Sequence, residues 1–288
     1  MSRISDLIAA GPTLSVEFFP PRTDEGERQL HGALADLAGL EPSFASVTYG
    51  ALGSTRDRTR DLVVGMNADH AFPTMAHLTC VGHTRAEISA LLDEYAATGV
   101  RNILALGGDP PAEGEPADGE FDHAIELVEV VRAHPAGFCV GVAAHPEMHP
   151  RSPDRASDRR HLAAKLSLAD FAITQFFFRP EDYERLREEL AALGCDRPVI
   201  PGVMPFISAA GLRRMAQMNH TTIPATLGAR LDRLGEDQDA VTALGVEVSG
   251  DLVEDLAARG APGFHLYSLN RAASVRRLWG TVAAAVRG

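Results

Sequence analysis

The chain has 288 residues, 45% apolar and 23% charged, and a chain of that length can bury about three quarters of its unfolded surface. This excludes a disordered chain, a fibre and a small disulfide scaffold. The formal charge of −12 excludes nucleic acid as the main partner, because phosphate backbones need a clustered positive field, so any anionic ligand requires a local basic patch.

In chain order, the opening MSRISDLIAAGPT lacks the apolar core of a signal peptide. No later stretch reaches the roughly 20 apolar residues of a membrane span, so a soluble, cytoplasmic protein is expected. Short β-branched and aromatic runs bounded by turn residues predict strands at 14–19, 44–50, 74–80 and 101–108, then at 138–144, 171–178, 198–205 and 263–269. Most are nearly continuous apolar runs, as parallel strands covered on both faces should be. Between them lie amphipathic helices. In TRAEISALLDEYAATG, Thr84 caps, Glu87 completes a capping box and Gly99 stops the helix, and EDYERLREELAALG repeats the design up to Gly194. Eight βα units with no linker predict a single-domain (β/α)8 TIM barrel over 1–288, with a doubly wound sheet as the alternative. The 65 residues between the strand starts at 198 and 263 leave room for extra helices around RRMAQMNH, ATLGARLDRLG and EVSGDLVEDLAARG. Cys80, Cys139 and Cys195 are scattered, without metal-ligand spacing, and read as small core residues.

Ligands of such a barrel sit at the C-terminal strand ends, and the unusual side chains cluster there. Glu17, inside LSVEFFPP, either faces the barrel mouth as a general acid or pairs with a cation such as Arg22. GGDPP places Asp109 in a stiff turn, and a plain turn aspartate is the simpler reading. His145, Glu147 and His149 alternate after the fifth strand, but two prolines break the register and no further ligand set accompanies them, so no metal is expected. Gln175 interrupts ITQFFF and suits either a heterocycle with adjacent amide and amine groups or a backbone hydrogen bond. Tyr267, Asn270 and Arg271 follow in HLYSLNR, where Arg271 suits a ligand carboxylate or a surface salt bridge. No GxGxxG, P-loop, GxSxG or HExxH is present, so a nicotinamide must bind without a Rossmann fingerprint.

VEFFPPR, SVTYGA, HLTC, GGDPP, AAxPExHP, ITQFFF, IPGVMP and FHLYSLNR, in this order from about residue 14 to 280, resemble the 5,10-methylenetetrahydrofolate reductase family. The resemblance implies a (β/α)8 barrel that reduces 5,10-methylenetetrahydrofolate to 5-methyltetrahydrofolate with hydride from NADH or NADPH, the sequence not choosing between the two. It implies that Glu17 is the acid that helps open the folate ring to a 5-iminium cation. It also implies that Asp109 binds the pterin and tunes the charge of the site, that Gln175 binds the pterin, and that Leu269 and Arg271 lie near the p-aminobenzoate and glutamate portion. Ala209 stands where an aromatic often stacks on folate, a wall that nearby Phe206 could supply by a small shift.

On the flavin side, Thr48, His77, Ala124, His149, Asp158 and Lys165 fit the family's pattern. Gly107 replaces its usual arginine, and His145 and His123 replace tyrosines. The folate trio is intact while the flavin side is altered, so the expected donor is NADH or NADPH acting directly at this pocket, with FAD doubtful. The alternatives are the same reaction through bound FAD, a folate-dependent methyltransferase, which would need a corrinoid or thiol–zinc site, and a non-catalytic folate binder.

Overall fold

The computed structural model describes residues 2–21, 23–49, 56–108 and 119–287. Each apolar run becomes a strand of one parallel sheet: β1 (Thr13–Phe18), β2 (Phe44–Val47), β3 (Thr74–Thr79), β4 (Asn102–Leu106), β5 (Cys139–Ala144), β6 (Phe171–Thr174), β7 (Val199–Ile200), β8 (Gly202–Val203) and β9 (Gly263–Tyr267). The expected seventh strand is thus two short pieces on either side of Pro201, which has no N–H to give a ladder. β7 pairs with β6 and β8 pairs with β9, so the broken strand joins the two ends of the sheet order β7-β6-β5-β4-β3-β2-β1-β9-β8 and closes an eight-position barrel. A side chain at 202 would meet the Thr174 carbonyl at 2.3 Å and the Tyr267 ring at 2.7 Å, so glycine is what lets β8 close the gap.

Strand alternation then sorts the side chains. Leu14, Val16 and Phe18 of β1 face outward into the main apolar layer, where they join Leu30, Leu34 and Leu37 of α2 (Asp24–Ala38). Phe44, Met75, Leu104, Phe171 and Ile200 face inward and fill the lower barrel together with Ile4. Ile4 belongs to α1 (Ile4–Ala10), a helix not expected from the sequence, whose backbone N–H donates to Asn102 Oδ1 at 2.8 Å. It plugs the N-terminal end of the barrel, leaving the C-terminal end as the open one.

Around the barrel come α3 (Arg56–Asp69), α4 (Arg85–Ala97), α5 (Ala124–Ala133), α6 (Arg155–Leu168) and α7 (Pro180–Ala192). The Thr84–Glu87 capping box forms, and Gly99 and Gly194 take the positive φ values, +80° and +74°, that end α4 and α7. The three extra helices are α8 (Ala209–Asn219), α9 (Ala225–Leu234) and α10 (Gln238–Ala258), and α11 (Ala272–Arg287) follows the last strand. They build a second apolar layer of Phe176, Phe206, Leu212, Leu227, Leu231 and Leu244 beside the open end. Two expectations need correcting. The strand predicted over 171–178 stops at Thr174: the Gln175 N–H still bonds the Ala144 carbonyl of β5, but the next N–H, of Phe176, turns to Gln175 Oε1 instead. Cys195 is half-buried rather than a core residue, since it follows the end of α7, whereas Cys80 and Cys139 are buried. Among the described residues, no helix is long and apolar enough to cross a membrane.

Candidate active site

Glu17 ends β1 on the inward face and is 5% exposed. Its Oε2 lies 3.5 Å from His77 Nε2 on β3 and 3.5 Å from His265 Nε2 on β9. Oε1 has no protein partner among the described residues, and Oε2 lies between two imidazoles, His77 Nε2 being buried without a hydrogen-bond partner among the described residues. Arg22, the cation expected as an alternative partner of Glu17, lies outside the described residues. His265 is anchored in turn: its Nδ1 is 2.7 Å from Ser15 Oγ, its Nε2 is 3.3 Å from Ser46 Oγ, and its ring stacks on Phe44. Burial pulls the His77 pKa down to about 4 despite the neighbouring carboxylate, so this imidazole is neutral at ordinary pH. The Tyr267 hydroxyl donates to the Thr174 carbonyl at 2.7 Å, and burial pushes its pKa well up.

The turn after β9 fixes the rim next to Glu17. Asn270 exchanges two hydrogen bonds with the Phe19 backbone, each of 2.8 Å. Leu269 and Asn270 both hold left-handed backbone, at φ 52° and 54°, a conformation that costs a leucine energy and persists because the Asn270 clamp enforces it. Leu269 is half-buried, and Arg271 is exposed with no carboxylate partner among the described residues.

Gln175 sits half-buried across the mouth. Its Oε1 accepts from the Phe176 N–H at 3.0 Å, while its Nε2 has no protein donor–acceptor partner among the described residues. The backbone reading and the ligand reading of this residue therefore concern different atoms. Phe206 is buried against Phe178, with ring centroids 6.5 Å apart, and would have to shift to wall a ligand. Asp109 lies outside the described residues.

The loop after β5 is organised by Arg159, a residue with no sequence signal beyond its place in a helix. It donates to the carbonyls of His145, Pro146 and Glu147 and to the carboxylates of Asp158 and Glu189. Asp158 also accepts from the His149 N–H at 3.3 Å and the Ser152 hydroxyl at 3.1 Å. The Lys165 ammonium donates to the Ala143 carbonyl at 3.2 Å, and burial lowers its pKa. The His145 and His149 rings meet edge to face, 4.6 Å apart. Burial, reinforced by the positive charge of His149, Lys165, Arg159 and Arg151, pulls the His145 pKa down to about 3. Glu147 turns away and takes two hydrogen bonds from Thr222. Among the described residues, no three His, Cys, Asp or Glu side chains converge as a metal site. Thr48 closes the C-terminal end of β2, its N–H bonded to the Phe18 carbonyl, and Ala124 opens α5.

His265 and Ser15 were missed in the sequence, although period two could have found them: Ser15 and Glu17 share one strand face, and so do His265 and Tyr267. One groove, of about 470 Å³, lies between Leu166, Ser167, Leu193 and Arg197 at the C-terminal ends of α6 and α7. Helices of a βα barrel run back toward the plugged end, so this groove is remote from Glu17. A smaller cleft, lined by His145, Met148, Gln175, Phe177 and His220, opens at the mouth.

The sequence model of the methylenetetrahydrofolate reductase family matches residues 3–282. The 5,10-methylenetetrahydrofolate reductase of Escherichia coli is 38% identical over 261 residues, covering 90% of this chain and 86% of that protein. Methylenetetrahydrofolate reductase (NADH) 1 of Arabidopsis thaliana is 32% identical over 94% of this chain, which spans 48% of that relative. Among solved structures, an uncharacterized Clostridium thermocellum protein that binds two copies of 5-methyl-5,6,7,8-tetrahydrofolic acid superposes with a TM-score of 0.65 at 15% identity, over 99% of this chain and 98% of that one. Dihydropteroate synthase from Xanthomonas albilineans superposes with a TM-score of 0.52 at 16% identity, over 96% and 94%. These last two likenesses show the fold alone.

Proposed function

The chain belongs to the methylenetetrahydrofolate reductase family, and on that premise we propose that it reduces 5,10-methylenetetrahydrofolate to 5-methyltetrahydrofolate with a hydride taken directly from NADH or NADPH. The observation that carries this reading is the buried Glu17 carboxyl at the end of β1, with one oxygen 3.5 Å from each of two histidines and the other without a protein partner among the described residues. A proton delivered from Glu17 to N10 breaks the bond between N10 and the bridging methylene and leaves a 5-iminium cation. The hydride then adds to the methylene carbon, which becomes the methyl group. The ionised carboxylate left behind stabilises the cation until the hydride arrives. Gln175 Nε2, without a protein partner among the described residues, is positioned as a donor to the pterin, and Arg271 as the partner of the glutamate carboxylates. The NADH-specific name of the plant relative and the folate bound by the Clostridium protein both support the choice of ligands.

The residues that would hold FAD do not fit it well. Gly107 offers no side chain, the Asp158 carboxylate is enclosed by Arg159, Ser152 and the His149 N–H, and the Lys165 ammonium is turned to the Ala143 carbonyl. Protein purified without added flavin is expected to be colourless, and to form 5-methyltetrahydrofolate from NADH or NADPH and methylenetetrahydrofolate. Stoichiometric FAD in active protein would contradict the direct route, and absence of product with either donor would contradict the reaction.

A further inference from the structure

The loop after β5 carries a cation whose place in the fold is unlike that of its neighbours. Arg151 is exposed, and it has no carboxylate partner among the described residues, whereas nearby Arg155 and Arg159 both pair with Glu189. Its Nη2 donates to the Gly108 carbonyl at 3.1 Å, which draws the guanidinium to the end of the neighbouring β4. There it fills the space that a side chain at 107 would enter: a Cβ built on Gly107 would lie 3.6 Å from Arg151 Nη2 and 3.9 Å from Ala124 Cβ. The backbone N–H of Arg151 is tied to His149 Nδ1 at 3.1 Å, so the guanidinium is aimed by two hydrogen bonds rather than left to wander. Its charge and that of Lys165 both act on His145, in a chain of net charge −12. Among the described residues one of its five N–H groups is engaged.

We propose that Arg151, lying over the glycines that end β4, binds a phosphoryl group of the nicotinamide hydride donor. This rests on the reading of NADH or NADPH as a substrate of the mouth. A phosphate needs the charge-assisted, paired donors that a guanidinium offers, and the geometry leaves Nε and Nη1 for it. Among the described residues no carboxylate competes for those donors.

The test compares Arg151→Ala and Arg151→Lys with the parent chain, and reads the binding of ADP and of adenosine by calorimetry alongside steady-state rates. Loss of a charge-assisted phosphate contact is expected to weaken ADP about 10- to 100-fold in Arg151→Ala, to leave adenosine within about 2-fold, and to raise the KM for the nicotinamide by a similar factor. Arg151→Lys should recover part of both effects, since it keeps the charge but not the fork. Unchanged ADP binding in Arg151→Ala overturns the proposal. So does a rise confined to the KM for folate, which would mean that Arg151 only holds the Gly108 turn. Because ADP binding is read without turnover, it stands even where no reductase activity is found.

Discussion

The two halves of the barrel mouth treat their polar side chains differently. On the β1, β9 and β6 side, Glu17 lies beside two histidines and Gln175 accepts one backbone hydrogen bond, and each has another polar atom with no protein partner among the described residues. On the β5 and α6 side, Asp158 and Lys165 are engaged internally, and Arg159 binds three successive carbonyls of the loop. The first half is preorganised for a ligand. The second is a scaffold whose exposed working cation is Arg151. Hydrogen bonds to a buried charged group stabilise whichever state satisfies them, so a side chain already satisfied has little to gain from a cofactor.

The sharpest way to break this contrast is to remove the open oxygen's proton. Glu17→Gln keeps the shape and the histidine neighbours but supplies no acid, and kcat should fall by about 10²- to 10⁴-fold with folate affinity nearly retained. Turnover and folate binding measured on the same preparation decide the matter, and near-parental turnover would remove the acid role. On the scaffold side, Asp158→Ala leaves a buried Arg159 with Glu189 alone, and should cost stability by about 2 to 4 kcal/mol. Denaturant unfolding reads that loss. If Asp158 were instead a cofactor ligand, stability would hold and nicotinamide affinity would drop.

Smaller is the effect of Gln175→Leu, which removes a free donor of similar size and should weaken folate by roughly 1 to 3 kcal/mol. Titration of the protein with folate, followed by its intrinsic fluorescence or by calorimetry, measures it. Unchanged affinity would place Gln175 with the scaffold. The two depressed histidines predict a pH dependence of known sign. Unfolded, they bind protons near 6.5; folded, His77 does so only near 4 and His145 near 3. The unfolded chain therefore holds more protons between those values, so their contribution to stability is complete above about pH 6.5 and is lost as pH falls toward 4, by up to about 1.4 kcal/mol per pH unit for each histidine. Melting of the parent chain against His77→Asn and His145→Asn across that window checks it. A parent curve no steeper than the variants' would show that these rings are not held neutral.

Much of the barrel was legible because parallel strands buried on both faces write continuous apolar runs, and because Thr84, Glu87, Gly99 and Gly194 punctuate α4 and α7 locally. The α1 plug was not, since a seven-residue helix with one buried side chain, Ile4, carries too little periodicity to stand out. Nor was the break at Pro201, where an apolar run continues through a residue that cannot join the ladder. In the site, Glu17 and Gln175 announced themselves as polar interruptions of apolar strands. The His265–Ser15 anchor did not, because its partners are 250 residues apart and meet only when β9 closes on β1. Arg151 and Arg159 were invisible for a simpler reason: in a chain whose basic residues are almost all arginine, composition does not separate a working guanidinium from a solvated one.

The most direct test of the account is the path of the hydride. With donor and folate both varied, a direct transfer requires both to be bound at once, the reacting carbons held about 3 to 3.5 Å apart. Initial-rate lines should then intersect, and deuterium from labelled NADH or NADPH should appear in the new methyl group without exchange into solvent. Parallel lines, from a protein that retains stoichiometric FAD, would contradict direct transfer and return the hydride to a flavin.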